Sequence, residues 1–275
     1  MIDPADLLAT WEAGTAAGPA HRALLLHALA RPADDAGRLL AVPVGERDAD
    51  LLTLRGTLFG ERASVRLACR QCAEDLEFDV DVRQALGIAG PAAEIPPAGP
   101  AADAGEPGRH SDRPGAPAGR AGPPGDTAPI EVTHGQWRVR FRVPTPGDLL
   151  AAAQAPPEHA RATLLARCVL DARKGRRKVG AADLPPAVQA RVAEAAAAND
   201  PHADITFDVP CPVCGHRTKA SLDAAAFLWA ELDAWARGTL LEVHLLAATY
   251  GWSEPEVLAL SPLRRRHYLE LAGHA

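Results

Sequence analysis

The chain has 275 residues, a net charge of −6 and a sequence pI near 5.9, and 47% of its residues are hydrophobic but only 4% aromatic. This length can hold one large domain or two modest ones, and the acidic balance disfavours a general binder of nucleic acid or anionic membranes. Met1-Ile-Asp-Pro lacks the basic and apolar regions of a signal peptide, and no stretch reaches about 18 uncharged apolar residues. We therefore expect a cytoplasmic protein that does not enter the membrane.

The first part of the chain predicts helices followed by two short strands. Asp3-Pro4 is typical of an N-cap followed by proline at the first helical position, and Gly60 is typical of a helix end. Apolar residues alternate with acidic ones after Gly60, as in a β-hairpin. The expected helices run from Pro4 through Trp11 and over 19–30 and 47–59, and the expected strands cover 64–68 and 76–80.

The segment from about 87 to 129 has almost no large apolar residues and is dominated by proline, glycine and alanine. Such a segment cannot bury enough surface to offset its ordering entropy. We expect a flexible linker without fixed structure.

Regular patterns return after this linker. Trp137-Arg-Val-Arg-Phe-Arg-Val143 alternates strictly, which predicts a strand with one apolar face. Ser253 and Glu256 have the spacing of a capping box. The other expected elements are strands at 130–134, 205–209 and 218–221 and helices at about 146–155, 158–173, 185–199, 223–249 and 262–271.

Together these patterns predict an α+β protein that is mainly helical, with a small β-rich, zinc-ribbon-like unit. The expected divisions are a helical segment (1–60), a first knuckle hairpin (61–86), the linker (87–129), a β-hairpin with helices (130–202), a second knuckle hairpin (203–222) and C-terminal helices (223–275).

Two Cys-x-x-Cys pairs, Cys69-Arg-Gln-Cys72 and Cys211-Pro-Val-Cys214, use four of the five cysteines. Two thiols at this spacing fit two corners of a tetrahedral Zn²⁺, and two such pairs complete a four-sulfur shell. A closed shell leaves no position for a substrate, so the expected zinc is structural. His216 could replace one sulfur, although we favour the four cysteines.

Two other interpretations of the cysteines stay open. They could be independent thiol pairs, or a thioredoxin-like redox motif, which should open a helix after a strand. Here each pair lies between two predicted strands, which favours the metal.

We expect no catalytic activity and no small-molecule substrate. The chain has no His-Glu-x-x-His, no phosphate-binding glycine loop and no Gly-x-Ser-x-Gly motif. Cys168 lies in an apolar predicted helix, where a buried core cysteine is the better interpretation. Lys174-Gly-Arg-Arg-Lys178 is expected to be a solvated loop.

The C-terminal region holds half of the scarce aromatic residues, including three of the five tryptophans, together with a run of arginines. The tryptophans could pack in the core or anchor a protein partner. The arginines could form a solvated helix face or contact a partner. The candidate partner-binding residues are Trp229, Trp235, Tyr250, Trp252, Arg264, Arg265 and Arg266.

The two ends of the chain resemble the baseplate hub assembly proteins of T-even-like phages and their bacterial homologues in contractile, phage-tail-derived injection systems. The resembling segments are Phe227-Leu-Trp-Ala-Glu-Leu-Asp-Ala-Trp235, Glu242-Val-His-Leu-Leu246, Tyr250-Gly-Trp-Ser-Glu254 and 258–269, and more loosely Leu7-x-x-x-Trp11-Glu12, Pro43-Val-Gly45 and Leu58-Phe-Gly60. The bacterial members also carry two Cys-x-x-Cys pairs.

This resemblance implies a non-enzymatic assembly factor or minor baseplate component. Its partners would be hub or spike proteins of a contractile particle, into which it could be incorporated. The alternatives are a zinc-ribbon protein that binds nucleic acid or acts in transcription, and a thiol–disulfide redox protein.

Overall fold

The computed structural model describes residues 2–87 and 128–274, which form the expected α+β fold with helices predominant. The helices are α1 (Pro4–Thr15), α2 (Pro19–Ala30), α3 (Ala36–Ala41), α4 (Val44–Phe59), α5 (Val82–Ala85), α6 (Pro146–Gln154), α7 (Pro157–Cys168), α8 (Pro186–Asn199), α9 (Ala224–Tyr250), α10 (Glu254–Leu258) and α11 (Pro262–Leu271). The strands are β1 (Arg62–Ala68), β2 (Asp75–Asp81), β3 (Ile130–His134), β4 (Trp137–Phe141), β5 (Val169–Lys174), β6 (Arg177–Lys178), β7 (Ile205–Pro210) and β8 (Arg217–Leu222). Two short 3-10 helices cover Ala181–Asp183 and Pro201–Asp204.

Side-chain caps begin several of these helices where the sequence predicts them. Asp3 accepts a hydrogen bond of 2.9 Å from the N–H of Ala5 at the start of α1. Asp223 accepts one of 2.9 Å from Ala226 at the start of α9. Because the first N–H groups of a helix have no partner within it, such caps fix where the helix begins.

The predicted helix 158–173 is wrong over its last residues. α7 ends at Cys168, and Val169–Lys174 instead forms β5, which pairs with β4. Strand pairing across the sheet thus outweighs the local helical pattern, as tertiary context often does for short apolar runs. α3 and α5 have no counterpart in the predicted elements, and α4 begins three residues before the predicted position 47.

The strands form three antiparallel sheets. β1 pairs with β2 and β7 pairs with β8 in two separate hairpins, while β3, β4, β5 and β6 form one sheet in that order. Lys174 and Arg177, expected in a loop, belong to β5 and β6. The two Cys-x-x-Cys segments therefore occupy the turns of the two hairpins.

Four buried clusters make up the core. The largest joins the N-terminal helices to the first half of α9, and Leu26, Leu51 and Leu228 are at most 1% exposed there. A second lies between the two cysteine hairpins, and a third lies between sheet β3–β6 and α8. The fourth holds α10 and α11 against the second half of α9, around Leu246 and Val257. α9 thus contributes buried residues to the first and fourth clusters, and its Phe227 packs against the second.

Two buried polar contacts join distant parts of the chain. Arg55 on α4 binds Glu231 on α9 through both carboxylate oxygens, at 2.8 and 2.7 Å, and its guanidinium carbon lies 5.6 Å from the ring centre of Phe227. Asp200 accepts a hydrogen bond of 2.9 Å from the N–H of Gly45 in the first turn of α4. These contacts do not involve the cysteines.

Most of the predicted linker, residues 88–127, lies outside the described residues, and the predicted division into segments stays a prediction. Within 2–87 and 128–274, no helix combines the length and apolar character that a membrane crossing requires.

Candidate metal centre

The first knuckle is the tight turn between β1 and β2. The N–H of Cys69 donates to the carbonyl of Glu74 at 2.7 Å, and the N–H of Ala73 donates to the carbonyl of Cys69 at 2.9 Å. Ala73 has a φ of 58°, and within the described residues it is the one non-glycine residue with a positive φ. This left-handed residue reverses the chain so that Cys69 and Cys72 face the same side of the turn.

The second knuckle, between β7 and β8, repeats this arrangement. The N–H of Cys211 donates to the carbonyl of His216 at 2.8 Å, and the N–H of Gly215 donates to the carbonyl of Cys211 at 2.9 Å. Gly215, with a φ of 71°, occupies the position equivalent to Ala73. In each knuckle the first cysteine is buried and the second is exposed.

The two knuckles bring the four sulfurs together. Cys69 Sγ lies 3.7 Å from Cys214 Sγ, Cys72 Sγ lies 3.6 Å from Cys211 Sγ, and all four lie within 4.8 Å of one another. A tetrahedral ion bound at about 2.3 Å needs sulfurs about 3.8 Å apart, whereas a disulfide needs about 2.05 Å. The prediction that these cysteines, far apart in sequence, meet in one cluster is therefore confirmed, and the sulfur spacing is compatible with a metal site.

Hydrogen bonds to the sulfurs and burial shift the pKa values of the thiols. Backbone N–H groups of Cys72 and Gln71 lower the pKa of the Cys69 thiol to about 6. For Cys72, the N–H of Glu74 lowers the pKa, but desolvation and the neighbouring thiols outweigh it and raise the pKa to about 12. Cys69 thus loses its proton readily while Cys72 keeps its proton, and a bound divalent cation would favour the thiolate form of both.

Apolar side chains between the two hairpins pack next to the cysteine cluster. Phe78 on β2 and Phe207 on β7 meet edge to face, with ring centres 6.1 Å apart. Leu76 and Val209 are buried beside them, and Phe227 of α9 packs against the same core. The hairpins are therefore held together, and joined to α9, by packing as well as by the cysteines.

His216 and Cys168 lie outside the sulfur cluster. His216 is exposed, and the cluster consists of the four cysteines alone within the described residues. Cys168 is buried, as the sequence predicts, at the end of α7. Burial, and then the negative charge of Asp148, raise the pKa of its thiol to about 11, which disfavours a nucleophilic thiolate.

The aromatic candidates on the first half of α9 lie at the edge of the core. Trp229 is partly buried, lies under the guanidinium of Arg22 at 4.6 Å, and forms part of the wall of a cavity of about 390 Å³ between α2, α4, α6 and α9. Trp235 also packs against the N-terminal core. These positions favour the core interpretation for both tryptophans.

Tyr250 and Trp252 belong to an aromatic cluster that the sequence pattern revealed only in part. Their rings stack with centres 4.8 Å apart, and Tyr268 on α11 meets both, at 5.8 and 4.8 Å. Tyr250 also donates a hydrogen bond of 3.2 Å to the carbonyl of Tyr268. The cluster fixes α11 to the end of α9, and Tyr250 stays 37% exposed.

The three arginines of α11 separate into two environments. Arg265 is 4% exposed, donates to Glu242 of α9 at 2.6 Å and to the carbonyl of Leu260 at 2.9 Å, and is therefore a packing residue and not a free partner contact. Arg264 and Arg266 are exposed, and Arg266 pairs with Glu270 at 3.2 Å.

The chain matches no family model, no similar curated protein and no similar solved structure. The resemblance to baseplate hub proteins therefore rests on the sequence segments quoted above.

Proposed function

We propose that the four cysteines bind one structural Zn²⁺ and that the protein acts by protein–protein interaction, without catalysing a reaction. The observation that carries the metal assignment is the sulfur geometry, 3.6 and 3.7 Å across the two knuckles. An all-thiolate tetrahedral set suits Zn²⁺ better than the hard, oxygen-preferring Mg²⁺ or Ca²⁺.

The cysteines themselves would act as a clamp. Cys69 and Cys72 hold the β1–β2 hairpin, Cys211 and Cys214 hold the β7–β8 hairpin, and the ion supplies the positive charge that lets four thiolates share one site. Because β8 leads directly into α9, this clamp also fixes the start of the long C-terminal helix.

The assembly role is proposed from the resemblance of the two ends of the chain to baseplate hub assembly proteins. In this proposal the protein helps hub or spike proteins of a contractile, phage-tail-like particle to assemble, or stays in the particle as a minor component. The outer side of α11 is the candidate docking surface, since Leu263 is 66% and Leu271 79% exposed there beside Arg264 and Arg266. Exposed apolar side chains next to arginines are typical of protein interfaces.

Metal analysis of the purified chain tests the zinc proposal. We expect about one zinc ion per chain, lost in Cys69→Ser and in Cys211→Ser but retained in Cys168→Ala, the matched cysteine control. A metal-free wild type whose cysteines cycle between disulfide and dithiol would contradict the proposal and favour the redox alternative.

Co-purification tests the assembly role. The tagged chain is co-expressed with hub and spike proteins of a contractile system from the same genome, and we expect one of them to be retained. Leu263→Asp combined with Arg264→Glu should abolish retention while the zinc content stays unchanged. Failure of the wild-type chain to retain any of these proteins would contradict the assembly role and leave the metal assignment intact.

A further inference from the structure

The outer face of sheet β3–β6 is strongly basic, although the whole chain is acidic. Val139, Phe141 and Ala172 point to the inner face and are buried in the third core cluster. The alternate positions point outward, and the turn between β5 and β6 adds further charges at one edge. We call the following exposed residues the basic face: Arg138, Arg140, Arg173, Arg176 and Lys178.

Like charges stand directly opposite one another on this face. Arg138 on β4 is the register partner of Arg173 on β5, and Arg173 is in turn the partner of Lys178 on β6. One row across three neighbouring strands is therefore entirely basic. Directly opposed like charges destabilise an antiparallel pair, so this row costs the sheet stability.

The carboxylates of this face compensate only part of the charge. Glu131 pairs with Arg138 at 3.3 Å, and Asp171 lies 3.0 Å from Arg173 and 3.9 Å from Lys178. These pairs are solvent-exposed, and such pairs contribute little. Arg140 and Arg176 have no ion-pair partner within the described part of the chain.

We propose that the basic face binds an acidic, extended segment of a partner protein. Neighbouring strands lie about 4.8 Å apart, so the row Arg138–Arg173–Lys178 spans about 10 Å. Alternate side chains of an extended segment lie about 7 Å apart, so two of its carboxylates fit over this row. Arginine guanidinium groups also bind carboxylates through two parallel hydrogen bonds.

Features of the same face favour protein over nucleic acid as the partner. Glu131 and Asp171 lie among the basic residues and would repel a continuous chain of phosphates. Single-stranded nucleic acid is usually held by stacking on exposed rings, but Trp137 packs into the inner core cluster and lies under Lys174 at 5.4 Å. The inference depends neither on the zinc nor on the assembly role.

Fluorescence anisotropy with two labelled probes tests the proposal: a short poly-glutamate peptide and an oligodeoxythymidine of equal charge. The test variant is Arg138→Gln, Arg173→Gln and Lys178→Gln combined. The matched control, Arg66→Gln, Arg217→Gln and Arg237→Gln combined, removes the same charge from exposed, ion-paired arginines on β1, β8 and α9. Both variants and the wild type are also unfolded thermally.

We expect poly-glutamate to bind the wild type and the control alike, and the test variant at least about tenfold more weakly. The unfolding temperature of the test variant should equal or exceed that of the wild type, because the opposed charges are gone. No binding of poly-glutamate, equal weakening in the control, or a lower unfolding temperature that accounts for the lost binding would overturn the proposal. Tighter binding of the oligonucleotide, lost in the same variant, would overturn it in favour of nucleic acid.

Discussion

Asp148 is a fully buried carboxylate that joins three elements through its charge. It accepts hydrogen bonds from Arg142, after β4, at 2.9 Å and from Arg167 on α7 at 2.8 Å, and it closes the capping box of α6 with the N–H of Thr145 at 3.0 Å. Burial alone would raise the pKa of this carboxyl, but Arg142, Thr145 and Arg167 outweigh it and hold the pKa well below its usual range. The charged form is therefore the one that the fold stabilises.

We expect Asp148→Asn to lower the free energy of unfolding by about 3 kcal/mol at neutral pH, because two arginines lose their shared carboxylate. The folded pKa lies below the unfolded value of about 3.9, so this contribution is present above that value and is lost as the pH falls below it. Urea unfolding across this range should show the deficit of the variant shrinking toward acid pH. Asp208→Asn, at an exposed pair with Arg217, should cost less than about 1 kcal/mol. A deficit that stays constant below about pH 4 would contradict the assignment.

At the scale of elements, the N-terminus of α4 depends on a residue far away in sequence. Asp200 accepts the hydrogen bond of the Gly45 N–H, and a Cβ at position 45 would overlap the Asp200 carboxylate and lie 2.8 Å from the Ala203 nitrogen. The bare glycine backbone thus allows the 3-10 helix Pro201–Asp204 to approach α4 closely.

We therefore expect Gly45→Ala to destabilise the protein by about 2 kcal/mol, because the added methyl group displaces Asp200 from its donor. Gly56→Ala is the matched control on the same helix, since a Cβ there meets nothing within 4 Å. That change should stabilise the protein by up to about 1 kcal/mol, as alanine favours helix over glycine. Thermal unfolding of both variants measures the contrast, and equal effects of the two substitutions would refute the close approach.

Local signals account for the elements that the sequence predicts well. Caps, proline at the first helical position and glycine after the last residue place α1, α2, α9 and α11 within a few residues of their observed bounds. The sequence mispredicts the start of α4 and misses strand β5 for the same reason. Both depend on partners that are distant in sequence: Asp200 for α4, and strand β4 for β5. No local pattern contains that information.

At the scale of the whole molecule, the cysteine cluster is more predictable from the sequence than the basic face. Two matched Cys-x-x-Cys pairs predict a contact between Cys69 and Cys214, 145 positions apart, because a tetrahedral ion needs four ligands. The basic face is built from β4 and from the β5–β6 hairpin, so a loop interpretation of Lys174–Lys178 conceals it. The alternation of Arg138 and Arg140 was the available signal for an exposed charged face.

If the four cysteines bind zinc as proposed, its removal should weaken the link between the two cysteine hairpins. A link that closes a loop of about 140 residues stabilises a chain by about 5 kcal/mol in the loop-entropy description. Excess chelator should therefore lower the unfolding free energy of the wild type by up to about this amount. Arg55–Glu231 and the core around Phe78 and Phe207 stay in place, so we expect loosening and not complete unfolding.

Hydrogen exchange locates this effect. With chelator, amide exchange should accelerate in β1, β2, β7 and β8, while sheet β3–β6 keeps its protection, because it has a separate core against α8. Cys69→Ser combined with Cys211→Ser provides the control, since it already lacks the clamp and should not respond to chelator. If the wild type and this variant respond alike, or if exchange accelerates equally in β3–β6, the cysteine cluster is not what closes the fold.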